Sequence, residues 1–92
     1  MSTTIEIPSA LQKYVNQQKT VSVSGSTVQE AFSNLVGEFG DLQQHLFDDQ
    51  GRVRSFINIY VNDEDIRYGD NLDSAIKDGD VIQIVPSIAG GR

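Results

Sequence analysis

The chain has 92 residues with 38% hydrophobic content, enough for one small domain around a single core, and a formal net charge of −6 that argues against a nucleic-acid partner, which would need a basic patch. It contains no cysteine, which excludes disulfides, thiolate metal sites and thiol catalysis. No apolar run approaches the ~20 residues that span a bilayer, and Met1-Ser2-Thr3-Thr4 lacks the basic and apolar runs of a secretory signal, so a soluble cytoplasmic monomer without a membrane partner is expected.

Thr4-Ile5-Glu6-Ile7-Pro8 alternates with a period of two, the mark of a half-buried strand, and Pro8 closes it. Thr20 to Ser24 alternates in the same way, and the two strands are expected to pair because sequence neighbours usually do. Between them lies a loop longer than a tight hairpin, anchored by Leu11 and Tyr14. After Gly25 the period changes: Val28, Ala31, Phe32, Leu35, Val36 and Phe39 build one apolar stripe at helical spacing. Thr27 and Glu30 fit a capping box, Gly40 suits a left-handed stop, and a short second turn is expected over 42–47.

Asp48 to Arg52 is a turn by composition, and Phe56 to Val61 is the next strand. Ile57, Ile59 and Val61 share one of its faces; Phe56, Asn58 and Tyr60 share the other. Asn62 to Asp65 turns the chain, Ile66-Arg67-Tyr68 reads as a short return strand, and 72–76 as one helical turn. Lys77-Asp78-Gly79-Asp80 then delivers the chain into Val81-Ile82-Gln83-Ile84-Val85, a β-branched run expected at the centre of the sheet. The order strand, strand, helix, strand, short strand, strand predicts a single α+β domain over 1–92. One long helix covers one face of a mixed sheet of about five strands, with the two end strands parallel at its centre: a β-grasp.

His45 has no second His and no Cys beside it, so it reads as structural and not as a metal ligand. Asp63-Glu64-Asp65 lacks the spacing and glycine of a calcium loop and reads as a solvated turn. No glycine spacing matches a phosphate-binding loop. On the sheet face away from the helix, Phe56, Tyr60, Val81 and Val85, joined by Ile88, form an expected apolar patch of the kind that marks a partner surface. Beyond it the 86–92 tail, Pro86-Ser87-Ile88-Ala89-Gly90-Gly91-Arg92, reads as a flexible end whose paired glycines can thread a narrow channel, or else as an ordinary frayed terminus.

Asp78-Gly79-Asp80-Val81, then Ile84-Val85-Pro86, then Ala89-Gly90-Gly91 resembles the ending of the ubiquitin-like sulfur carriers, the MoaD/ThiS/CysO family. Ile59 to Asp65 with Leu72, Ala75 and Ile76 extends the resemblance through the middle, in a form most similar to the CysO-type carriers of cysteine biosynthesis. The resemblance implies a protein co-substrate and not an enzyme. A ubiquitin-activating-type adenylyltransferase would use ATP on the carboxylate of Gly91, and a sulfur donor would leave a thiocarboxylate there. Pro86, Ala89 and Gly90 would thread and bind in the enzyme's channel, and no cofactor would be bound by the carrier itself. The sulfur acceptor stays open between a cysteine synthase homologue, a pterin-synthase large subunit and thiamin or thionucleoside enzymes. Arg92 departs from the family's terminal glycine and is expected to be trimmed, for instance by a metal-dependent peptidase. Conjugation of the same carboxyl end to lysines, as in a protein modifier, is the alternative.

Overall fold

The structure, a computed structural model, describes residues 2–86. Five strands form one sheet: β1 (Thr3–Glu6), β2 (Thr20–Val23), β3 (Ile57–Val61), β4 (Glu64–Asp65) and β5 (Val81–Pro86), in the order β2-β1-β5-β3-β4. β5 lies parallel to β1, with Ile5 beside Ile82, and antiparallel to β3, with Ile59 beside Ile84. The expected β-grasp with its end strands adjacent at the sheet centre is therefore observed.

The helix α1 (Val28–Glu38) supplies the crossover and buries Val28, Ala31, Phe32 and Leu35 against the sheet. Ile5 and Ile82 meet that stripe with no exposed surface, and each such side chain stabilises the fold by about 1.5–3 kcal/mol. Thr27 caps the helix by accepting from the Glu30 N–H at 3.2 Å. The Glu30 carboxylate reaches back to the Ser26 N–H at 2.8 Å, one residue ahead of the position a capping box uses.

Several local expectations are corrected. Gly40 is not a left-handed stop; it opens a 3-10 turn (Gly40–Leu42) that runs into α2 (Gln43–Leu46). Burial of Leu42 and Leu46 draws the chain down onto the core there, where a reversal would expose both. The segment between β1 and β2 holds a 3-10 helix (Ser9–Val15) whose fully buried anchor is Val15, with Leu11 beside it and Tyr14 only half-buried.

The return strand is Glu64–Asp65, not 66–68. Asn62 and Asp63 take positive φ (50° and 71°), a two-residue reversal that Asn and Asp tolerate, so the chain comes back earlier than composition suggests. Asp65 then accepts from the Arg67 N–H at 2.9 Å and winds Ile66–Tyr68 into a 3-10 turn. Asp65 is also buried, so the acidic run is not wholly solvated. The helical turn expected over 72–76 is Asn71–Asp73, after which Ala75 bridges to Thr27. β3 starts at Ile57 because the Ile57 N–H is taken by Arg54 O at 2.9 Å, leaving Phe56 in the turn before it.

Candidate functional site

β5 carries the chain from a pinned start to an exposed end. Gly79 takes φ +89° in the turn ahead of it, and Asp80 Oδ2 accepts from the Lys77 N–H at 2.9 Å. Asn62 secures the other side: its Oδ1 accepts from the Val81 N–H at 3.0 Å. Hydrogen bonds from Asn62 and then from the Lys77 backbone hold the Asp80 carboxyl below the usual carboxylate range. β1 flanks the strand through Gln83 and β3 flanks it to Pro86, which pairs with Ile57, so the last described residue is held in the sheet on one side.

Inward along β5 point Ile82 and Ile84, both buried; outward point Val81, Gln83 and Val85. The expected outer patch is only partly assembled. Asn58 sits opposite Val85 and Tyr60 opposite Gln83, so polar side chains separate the apolar ones. Gln83 is further held to Glu6, its Nε2 donating to Oε1 at 3.0 Å. Val85 (40% exposed) and Phe56 (42% exposed) are the open apolar groups near the strand end, while Tyr60 and Val81 are half-buried. Ile88, Ala89, Gly90, Gly91 and Arg92 lie outside the described residues, as does the expected flexibility of the tail.

His45 stacks on Tyr14 with ring centroids 4.4 Å apart, a packing role, and among the described residues no group of three His, Cys, Asp or Glu side chains could hold a metal ion. No helix among them is long and apolar enough to cross a membrane.

Residue patterns gave no sign of a second feature. On the helix side of the β3 edge, a groove of about 340 Å³ is lined by Arg52, Arg54 and Arg67 over Ile59, Ile66 and Leu72. Its one acid, Asp65, accepts from Arg67 Nη2 at 2.7 Å and Nε at 3.2 Å. Those side-chain bonds, together with the Arg67 N–H, hold the Asp65 carboxyl below its ordinary range and raise the guanidinium in return. The three arginines come from two separated segments, and only the tertiary fold brings them together.

The described architecture agrees with known proteins. The ThiS family model matches residues 5–91. The sulfur carrier protein CysO of Mycobacterium tuberculosis is 41% identical over 93 residues, spanning 99% of this chain and 100% of the relative. A chain from the crystal structure of the Amycolatopsis orientalis BexX/CysO complex superposes with TM-score 0.88 at 35% identity, covering 97% of this chain and 99% of that one. SAMP1 from Haloferax volcanii superposes with TM-score 0.85 at 28% identity, covering 99% and 100%.

Proposed function

Because the chain belongs to the ThiS family, we propose that it is a sulfur carrier protein of the CysO kind, a protein co-substrate whose cargo is borne by the carboxylate of Gly91. The observation that carries this reading is the 41% identity to a CysO along its whole length. Two features agree with it: β5 holds Pro86, the last described residue, in the sheet against Ile57, and the family match runs through Gly91 and leaves Arg92 outside it.

The reaction needs a free acyl end. A peptidase first hydrolyses the Gly91–Arg92 bond, since a long charged side chain at the end would block a channel that two glycines can pass. An adenylyltransferase then lets the Gly91 carboxylate attack the α-phosphate of ATP, displacing pyrophosphate. Sulfide, or a sulfur donor acting as its equivalent, attacks the acyl carbon and expels AMP. The product is a thiocarboxylate, anionic at neutral pH and a soft nucleophile, which an acceptor enzyme of cysteine synthesis consumes. This cytoplasmic cycle uses no cysteine of the carrier, which has none.

The likeness to a BexX/CysO complex supports docking on a partner protein; the outer face of Phe56, Tyr60, Val81 and Val85, with Ile88, is the surface we assign to that docking, and Pro86, Ala89 and Gly90 lead into the channel. Incubating the Gly91-ended form with an activating enzyme, ATP and sulfide should give a product about 16 Da heavier, one oxygen replaced by sulfur. If no such enzyme adds that mass, the carrier reading is lost. The likeness to SAMP1 favours a second reading, a protein modifier in which lysine amines attack the same adenylate. Conjugates that grow in cells and vanish in Gly91→Ala would select it.

A further inference from the structure

The arginine groove is a local inversion of charge in a chain with 13 acidic and 7 basic residues. Arg52, Arg54 and Arg67 line it with one acid, Asp65; Arg67 is paired with Asp65 and Arg52 with Asp48 just outside the lining, so among the described residues Arg54 is the one of the three not in an ion pair. Each guanidinium is oriented through its Nε: Arg52 donates to Asp48 Oδ2 at 3.3 Å, Arg54 to Gln44 O at 2.7 Å and Arg67 to Asp65. Holding the planar groups in this way orders them at the rim before anything binds, which lowers the ordering cost of receiving carboxylates.

The wall of the groove is an open sheet edge. β4 pairs with β3 only at Tyr60 and Val61, so among the described residues no strand lies beside Ile57 to Ile59 on that side. The Asn62 N–H points across to Val81 O and the Ile57 N–H points away to Arg54 O, so the alternation of the strand turns the N–H and C=O of Ile59 toward the groove. Beneath them Ile66 and Leu72 give an apolar floor.

We propose that this groove docks an extended acidic segment of a protein partner, which pairs with Ile59 as an added strand and sets its carboxylates on Arg52, Arg54 and Arg67. Charge selects the occupant: a second copy of this acidic chain would bring its own arginines to the same edge, whereas an acidic strand meets opposite charge along the rim. The proposal goes beyond the carrier reading and does not depend on what Gly91 bears, so either can fail alone.

The probe is a short blocked peptide alternating aspartate and valine, titrated into the nitrogen-15-labelled full-length protein. Amide shifts are expected at Ile59, Ile66 and Arg67, with no binding of the lysine-for-aspartate peptide. Arg52→Gln, at a side chain 75% exposed, should keep the thermal midpoint and weaken binding about fivefold. Shifts that are absent or scattered, equal binding of the lysine peptide, or an unchanged affinity in Arg52→Gln would each overturn the proposal. Displacement of the peptide by equimolar inorganic phosphate would also overturn it, marking a small-anion pocket in place of a strand socket.

Discussion

Asn62 Nδ2 donates to Asp80 Oδ1 at 3.0 Å, tying the turn between β3 and β4 to the turn from which β5 starts. The same amide accepts from the Val81 N–H through its oxygen, so one side chain fastens the end of β3 to the start of β5. Asn62→Ala removes both bonds and puts alanine at φ 50°. We expect a loss of about 1–3 kcal/mol in urea unfolding with an unchanged denaturant slope. A loss under about 0.5 kcal/mol would show the clasp to be idle.

Acid should weaken the fold through three carboxylates. Asp48 is lowered mainly by the Arg52 backbone N–H, Asp65 by the Arg67 side chain and Asp80 by Asn62. A carboxyl lowered in the folded state stabilises above its unfolded value, about 3.9, and that contribution fades as pH falls through the lower folded value. Stability is therefore expected to be level down to about pH 5 and to decline below about pH 4. In Asp80→Asn the acid decline should be shallower; an identical decline would remove Asp80 from this account.

Gly25→Ala should be costly for a steric reason. An added Cβ would stand 2.9 Å from the Ala31 backbone nitrogen and 3.1 Å from Glu30 Cβ, so the first turn of α1 must shift. A destabilisation of about 1–3 kcal/mol is expected by thermal unfolding. Gly37→Ala, where nothing lies within 4 Å, serves as the contrast and should be neutral or stabilising by up to about 1 kcal/mol.

Val85→Asp tests the docking face without touching the core, since Val85 is 40% exposed. With circular dichroism and melting unchanged, the rate of Gly91 loading at limiting carrier should fall about tenfold while the rate at saturation holds. Equal rates at limiting carrier would move the docking surface elsewhere.

Much of this architecture was legible because it rests on periodicity. The stripe from Val28 to Leu35 and the alternation through Val81 to Val85 each have one face that must leave water, and the sheet order follows from joining them. What stayed hidden depends on single local bonds. Asp65 capping Arg67 turns an apparent strand at Ile66 into a 3-10 turn, and a 3-10 helix over Ser9–Val15 has no periodic signature to read. The tail and the outer face, with Asn58 and Gln83 among its apolar residues, could be named from sequence, but that Asn58 stands opposite Val85 and Tyr60 opposite Gln83 is a matter of strand register. The arginine groove was out of reach altogether, because Arg67 reaches Arg52 and Arg54 only once β3 and the loop before it are in place.

The parallel seam between β1 and β5 makes the strand synthesised late the keystone of the sheet. Until Ile82 and Ile84 are in place, no strand joins the β1–β2 pair to the β3–β4 pair, and α1 packs on a sheet that lacks its centre. A polypeptide broken off before Val81 is thus open to proteolysis, while one that reaches Pro86 closes. Translation itself thereby filters the pool, so that molecules able to persist are those that have already made the segment leading to the loading end.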